Sequence, residues 1–267
     1  MAVSTAVVTA VLWAPEAAWA FGQGARIWLP EGVSSVAPAI DRLFYIVLWI
    51  TGIAFVAVEG LLVVFLVLYR QRPGRRAAYT HGNSLIEIIW TVIPALILVW
   101  LAFFNQRIWA QVRGTPPPAD LEVEITGEQF AWNVHYPGTD GLFGRTDRAL
   151  VDLVTNPVGL DRSDPKAADD VVTLNQLHLP IDQTALIHLK SKDVIHSFFV
   201  PQFRFKQDAV PGITGRVWVR PVKAGQLEIA CAELCGLGHY RMRGFLTLEP
   251  AEAFTAWLTT QQAEQGT

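Results

Sequence analysis

Two long apolar runs constrain the fold of this chain more than any other feature. Between Leu43 and Leu68 every residue is apolar or small except Glu59, and residues 85–104 form a second run of the same kind. Each run meets the roughly 20-residue length of a transmembrane helix. Pro94 lies in the middle of the second run and is expected to kink it. Residues 43–104 are therefore predicted to form a membrane-spanning helical hairpin.

The distribution of arginines predicts how this hairpin is oriented. Four arginines crowd the short loop between the runs, whereas the outer flank of each run carries two. The positive-inside rule then places residues 70–84 in the cytoplasm and both ends of the hairpin on the outer side. We expect a multi-pass protein of the inner or plasma membrane, with both termini in the periplasm. The formal net charge of −3 gives no indication of nucleic-acid binding.

The segment before the hairpin reads as a targeting sequence followed by a loop. Residues 1–20 are apolar and end in Ala18-Trp-Ala20, a small-x-small pattern typical of signal-peptide cleavage. No Lys or Arg precedes the apolar run, so an uncleaved N-terminus stays open as an alternative. Residues 21–42 are interpreted as an N-terminal periplasmic segment rich in Gly, Pro and Ser.

The rest of the chain predicts an all-β domain. Residues 105–119 form a linker that ends in a proline run, residues 120–250 contain short β-branched or aromatic segments divided by Gly, Pro and Asp, and residues 251–267 form a C-terminal helix and tail. This pattern predicts an antiparallel Greek-key barrel or sandwich. Residues 137–170 are expected to be a surface excursion inserted in it. The predicted strands are Leu121–Thr126, Gln129–Tyr136, Val171–Leu177, Thr184–Leu189, Val194–Val200, Gly215–Arg220, Gln226–Ala230 and Gly244–Leu248.

One short loop gathers most of the metal-ligating side chains. Cys231 and Cys235 are the only cysteines, His239 and Met242 follow closely, and His196 lies upstream. Such a nitrogen–sulfur set suits copper, zinc or iron–sulfur. Three other interpretations stay open: a disulfide between the cysteines, a structural zinc site, and a core role for the methionine.

Copper accounts for all five side chains. A mononuclear blue-copper site uses two His, one Cys and a weak axial Met, in the order found here apart from the second Cys. Two thiolates on one loop can each bridge two metal ions, so the additional Cys would convert one copper into a pair. Each copper would then take one terminal His, His196 or His239, and Met242 would be axial to one of them.

The loop, together with the hairpin before it, resembles the CuA loop of subunit II of cytochrome c oxidase, and the resemblance covers roughly residues 40–250. It implies a cupredoxin fold, a further copper ligand in the backbone carbonyl of Glu233, and a magnesium ion shared with the catalytic subunit at the Glu233 side chain. The implied function is electron transfer from cytochrome c through the copper pair to haem in subunit I, with subunit III as a further partner. Oxygen reduction would then take place outside this chain.

The same resemblance assigns three more positions. Glu87 matches a Glu at the entrance of a proton path, although a carboxylate reaching to the lipid headgroups is the simpler reading. Phe130 and Trp132 match an aromatic patch for electron entry, where Phe130 replaces the usual Trp; ordinary core packing is the alternative. Asp193 and Asp208 match acidic positions near the docking face or the subunit interface.

Other functions are less well supported. The chain has no Cys-x2-Cys-His motif, so no haem is expected to be bound by this chain and the electron donor would be a separate protein. The same electron-entry subunit could serve a CuA-type nitric oxide reductase, and a zinc-stabilised membrane scaffold is an alternative of a different class. His135, His178 and His188 belong to no motif and are expected to be structural.

Overall fold

A computed structural model describes residues 29–76, 79 and 81–265. The predicted signal peptide and the first part of the N-terminal segment lie outside the described residues. The described chain forms two compact units, one of residues 38–114 and one of residues 29–37 together with 115–265. The first unit is helical and the second is a β-sandwich.

The helical unit contains two long apolar helices, α1 (Ala37–Leu68) and α2 (Ser84–Arg113). Helix α1 begins six residues before the first apolar run, and α2 ends nine residues after the second. Both helices are long and apolar enough to cross a membrane. The Asn83 side chain caps α2 by accepting hydrogen bonds from the backbone N–H groups of Leu85 and Ile86, at 3.1 and 3.3 Å. Arg75 donates to the carbonyl of Leu68 at 2.7 Å and so caps the other helix.

The second unit contains ten strands in two five-stranded sheets, followed by helix α3 (Ala251–Gln265). The strands are β1 (Leu121–Glu128), β2 (Ala131–Tyr136), β3 (Val171–Leu174), β4 (Gln176–Pro180), β5 (Ala185–Ser191), β6 (His196–Val200), β7 (Phe205–Ala209), β8 (Gly215–Val219), β9 (Gly225–Cys231) and β10 (Arg243–Glu249). The first sheet has the order β3-β2-β1-β5-β8, and the second has the order β4-β10-β9-β6-β7.

Three features of the sandwich differ from the sequence prediction. The segment predicted as one strand, Val171–Leu177, is divided at Asn175, whose φ of 59° passes the chain from the first sheet to the second. Strand β7 was missed because three polar residues separate its two buried ends. The β1–β5 and β4–β10 pairs are parallel, whereas the other six pairs are antiparallel as expected.

The core lies between the two sheets and is built from alternate residues of the strands. Along β1, Val123 and Ile125 are fully buried while their neighbours are partly exposed, which is the period of two expected for a strand with one buried face. Trp132, Tyr136 and Phe198 are the largest of the fully buried side chains. Since Trp132 and Phe198 belong to different sheets and meet edge to face at 5.8 Å, they help to join the two layers.

A segment that was expected to be a loop is part of the sandwich. Val33 is buried, its N–H donates to the carbonyl of Gln202 at 3.0 Å, and its carbonyl accepts from the N–H of Val222 at 2.8 Å. The Ser34 hydroxyl donates to the carbonyl of Phe203 at 2.9 Å. Val33 and Ser34, just before the first helix, therefore belong to the core of the β-sandwich.

We predict that Val33→Ala lowers the free energy of unfolding of the sandwich by about 1–2 kcal/mol, because it removes two buried carbons. Val154→Ala is the matched control, since Val154 is 89% exposed, and it should change stability by less than about 0.5 kcal/mol. Denaturant unfolding of the full chain in detergent, followed by tryptophan fluorescence, measures both. Equal effects would contradict the packing of this segment.

The excursion of residues 137–170 is fastened to the outer face of the first sheet. His135 Nε2 lies 2.7 Å from Asp170 Oδ2, and both side chains are buried. The same carboxylate oxygen accepts from the N–H of Gly144, and Asp169 accepts from Thr139 at both its N–H and its hydroxyl. Phe143 packs edge to face on His135 at 5.1 Å. The excursion is thus held by hydrogen bonds at both of its ends.

The three histidines of the sandwich that belong to no motif pair with carboxylates, as expected for structural roles. Besides His135, His178 lies 2.8 Å from Glu249 and His188 lies 2.7 Å from Glu122. Burial alone would lower the pKa of His135, but the hydrogen bond to Asp170 and the nearby Glu124 carboxylate outweigh it and raise the pKa above 6.5. Burial would likewise raise the pKa of Glu124, but His135 and Lys190 lower it to about 2.

A folded-state pKa above the unfolded value means that protonation of His135 stabilises the folded protein. This contribution is complete below about pH 6.5 and is lost as the pH rises through the folded pKa. We predict that the wild-type sandwich loses stability as the pH rises from 6.5 through the folded pKa of His135, and that His135→Asn lowers stability by roughly 3–5 kcal/mol at pH 6 while flattening this dependence. Thermal unfolding across this range tests it; an unchanged slope in the variant would contradict the assignment.

Candidate metal centre

The site lies at one end of the second sheet, where three elements meet. His196 opens β6, Cys231 closes β9, and the loop between β9 and β10 carries the remaining ligand-type residues. Strands β6 and β9 are antiparallel neighbours, with Phe198 opposite Cys231. The N–H of Ala232 donates to the carbonyl of Ser197 at 2.9 Å, which extends this pairing to the start of the loop. Sheet pairing therefore brings together residues that are far apart in the sequence.

The two thiols are free and lie next to each other, each beside an imidazole. The Sγ atoms of Cys231 and Cys235 are 3.9 Å apart. Nδ1 of His196 is 3.9 Å from the first sulfur, and Nδ1 of His239 is 3.6 Å from the second. The thioether sulfur of Met242 lies 3.7 Å from Cys235 Sγ. The five side chains singled out in the sequence thus form one continuous cluster, and the cysteines are not joined as a disulfide.

The spacing and chemistry of these atoms fit a bound soft metal. With metal–sulfur and metal–nitrogen bonds of about 2.3 and 2.0 Å, two ligands of one tetrahedral metal lie roughly 3.5 Å apart. The ligand atoms of His196, Cys231 and Cys235 all lie within 4.8 Å of one another. The carbonyl oxygen of Glu233 is 3.2 Å from Cys231 Sγ and is therefore a further available donor. Small movements would bring this set to coordination distance.

The environment gives the two thiols different acidities. Burial would raise the pKa of the Cys231 thiol, but hydrogen bonding to His196 and to nearby backbone lowers it well below its ordinary value. Burial and the adjacent Cys231 sulfur raise the pKa of Cys235. Cys231 is therefore the more acidic of the two thiols, and a metal that binds both sulfurs as thiolates must displace a proton from Cys235.

We predict that metal affinity of the full chain falls as the pH is lowered. Each unit below the pKa of Cys235 should weaken binding about tenfold, because one proton competes with the metal there. Zn²⁺ is a suitable redox-silent probe, and calorimetry in two buffers of different ionisation enthalpy counts the protons released. Binding that releases no proton and is constant between pH 6 and 8 would contradict this assignment.

Asp193 orients one of the imidazoles. Its Oδ1 lies 2.8 Å from His196 Nε2, which leaves Nδ1 directed at the sulfurs, and its Oδ2 accepts from the backbone N–H of Gln129 at 2.7 Å. Such carboxylate–histidine contacts fix the ring of a metal ligand. The family resemblance predicted a position for Asp193 near the docking face or the subunit interface; its spacing of three residues from His196 was the signal for the role seen here.

The aromatic residues lie on two sides of the site. Phe130 is partly buried and packs on the loop, where a Cβ on Gly238 would come within 2.4 Å of its ring. Glycine is therefore required at that position. Trp132 is fully buried and meets His196 edge to face at a centroid distance of 6.0 Å. It forms the floor of the site and has no exposed surface through which another protein could touch it.

The other residues with assigned roles lie outside this cluster. The Glu233 side chain is exposed on the loop, while Asp208 accepts a hydrogen bond from the Ser197 hydroxyl at 2.7 Å. Glu87 is exposed in the first turn of α2, in the helical unit, where a negative charge also suits the helix N-terminus. A proton-path role for Glu87 stays a prediction.

A hairpin of two membrane-length helices attached to a β-sandwich with this thiol–imidazole cluster defines a membrane-anchored cupredoxin-like protein with a soft-metal site. Two family models match the chain: "Cytochrome C oxidase subunit II, transmembrane domain" over residues 22–108, and "Cytochrome C oxidase subunit II, periplasmic domain" over residues 121–247. The chain belongs to the cytochrome c oxidase subunit II family. The predicted family and fold class are thereby confirmed.

Individual relatives agree over most of their length. The "Alternative cytochrome c oxidase subunit 2" of Bradyrhizobium diazoefficiens is 38% identical over 85% of this chain and 82% of its own. The "Cytochrome c oxidase subunit 2" of Thermostichus vulcanus is 31% identical over 88% of this chain and 79% of its own. A crystal structure of the periplasmic domain of subunit II of cytochrome oxidase from Bradyrhizobium japonicum is 25% identical, with a TM-score of 0.42, over 56% of this chain and 99% of that one.

Proposed function

We propose that this chain is the electron-entry subunit of a haem–copper cytochrome c oxidase and that it holds a binuclear CuA centre. The observation that carries the proposal is the pair of free thiols, 3.9 Å apart, with an imidazole nitrogen beside each. A single blue-copper site has no use for the second thiol. A pair of metal ions that shares both sulfurs uses every side chain of the cluster.

In this proposal, two thiolates, two imidazoles and a thioether would hold the two copper ions: those of Cys231, Cys235, His196, His239 and Met242. The carbonyl of Glu233, near Cys231, completes the set, and its exposed carboxylate is available to a magnesium ion at the interface with the catalytic subunit. When bound, the copper pair would accept one electron at a time from cytochrome c and pass it to haem in subunit I.

The chain itself would orient the ligands and exclude water. Asp193 fixes the His196 ring, and Trp132 and Phe198 form an apolar floor in contact with each other. His196, Cys235 and Met242 are all almost completely buried. Because the ligands are already held in place without the metal, little protein rearrangement should accompany gain or loss of an electron.

The position of the aromatic residues refines the route of electron entry. Trp132 is fully buried, so a direct donor contact is assigned to partly exposed Phe130, and Trp132 would act only as packing beneath His196. Leu237 and Tyr240 are strongly exposed on the same loop and would widen the contact. Nearby Asp193 would favour a lysine-rich cytochrome, in a manner that weakens with salt.

The assembly would contain catalytic subunit I and subunit III besides the cytochrome and the bilayer. The arginine-rich loop between the helices would face the cytoplasm, and the sandwich would face the periplasm, as the description of the family's second domain suggests. Glu87 would then lie at the cytoplasmic end of α2, at the entrance of a proton path into subunit I.

The same centre would serve a CuA-type nitric oxide reductase equally well. Measuring whether the purified complex reduces oxygen or nitric oxide distinguishes the two functions. A zinc-stabilised scaffold would use the ligands without electron transfer. The family to which the chain belongs favours the oxidase.

The proposal predicts the spectrum of the full chain, purified in detergent and loaded with copper after reduction. It should bind two copper ions and give an EPR signal whose hyperfine pattern is shared by two copper nuclei. Cys235→Ser should reduce the site to one copper or abolish it. His188→Asn, which removes a histidine of another carboxylate pair, should leave the signal unchanged. A wild-type protein that takes up a single copper, or only zinc, would exclude a CuA centre.

A further inference from the structure

We propose that Gln129 is a positioning residue that ties the two halves of the metal site together; the inference rests on the proposed function for the identity of the metal. Gln129 lies in the turn between β1 and β2, and belongs to neither of the elements that carry the ligands.

Gln129 binds both halves of the site through different atoms. Its backbone N–H donates to Oδ2 of Asp193 at 2.7 Å, and the other oxygen of that carboxylate holds His196. Its side-chain Nε2 donates to the carbonyl oxygen of Cys235 at 2.5 Å. One residue therefore joins the turn before β6 to the loop between β9 and β10, across the gap between the two imidazole–thiol pairs.

The loop around Cys235 needs such an anchor. Leu234 and Leu237, on either side, are 77% and 98% exposed, so their side chains do not hold the loop on the sandwich. The buried Cys235 side chain is directed inward, and its position depends on the adjoining peptide. The amide of Gln129 fixes the carbonyl of that peptide, and the ring of Phe130 packs against Gly236 and Gly238 just beyond it.

The contact with the Cys235 carbonyl requires a hydrogen-bond donor, which the amide of Gln129 supplies. A glutamate here would place a carboxylate oxygen, which is only an acceptor at neutral pH, against a carbonyl oxygen, which is also only an acceptor. The backbone bond from residue 129 to Asp193 does not depend on the side chain. Substitutions of Gln129 should therefore release the Cys235 half of the site while the His196 half stays held.

This asymmetry gives a specific expectation for the two metal positions. If the Cys235 peptide is free to turn, its sulfur no longer keeps a fixed distance from Cys231, and the two coppers become inequivalent. In Gln129→Ala and Gln129→Glu the EPR hyperfine pattern should change from sharing over two nuclei towards one copper. Copper loss to a chelator should become about tenfold faster or more, the usual size of an effect on an outer hydrogen bond to a metal ligand.

The matched control is Gln226→Ala, since Gln226 is exposed on β9. It should keep the wild-type spectrum and the wild-type rate of copper loss. Gln129→Leu keeps an uncharged side chain of similar bulk, removes the amide and adds no metal-binding atom, so it carries the test if Gln129→Glu disturbs folding. A lower melting temperature with an unchanged spectrum in the folded variants would overturn the positioning role.

A second readout needs no copper. In the reduced, metal-free full chain, Cys235 should be alkylated several times faster in Gln129→Ala than in wild type, whereas Cys231 should change little; mass spectrometry of the peptides distinguishes the two. If the wild-type chain fails to bind two coppers, the proposed function is refuted. The alkylation rates still test the role of Gln129 in that case. Alkylation rates equal to those of wild type at both cysteines would overturn the inference.

Discussion

The site depends on the pairing of β6 with β9. His196 and Cys231 are separated by 34 residues, and only the antiparallel register that sets Phe198 opposite Cys231 places them at the same end of one sheet. Backbone hydrogen bonds bring the two residues together without any contribution from the ligand side chains. The cluster can therefore exist before a metal arrives, and the cost of burying thiols and imidazoles is met by the sandwich around them.

Around that end of the sheet, residues from several segments hold the ligands in place. Asp193 sets the direction of one imidazole, Gln129 holds the loop through a carbonyl, and Phe130 requires glycine at position 238. Trp132 is fully buried and packs against the His196 ring. The polar contacts lie at the edge of the site and the apolar contacts lie beneath it. Both restrict the movement of the ligand side chains.

The sequence was most informative where the chemistry is local. The order of His, Cys, Cys, His and Met predicted the cluster, because four of the five residues share one loop, and the two apolar runs predicted both helices. It was less informative where the outcome depends on tertiary contacts. Asn175 carries the chain from one sheet to the other through a left-handed backbone conformation that an asparagine permits but does not require. Val33 and Gln129 act through contacts with residues more than 60 positions away, for which a single sequence contains no signal.

A binuclear centre requires two metal ions that share the sulfurs of Cys231 and Cys235. X-ray absorption at the copper edge of the loaded full chain distinguishes such a pair from a single copper, because it detects the neighbours of each copper atom. We expect sulfur and nitrogen neighbours together with a second copper at short distance. A copper environment of sulfur and nitrogen with no metal neighbour would contradict a binuclear centre.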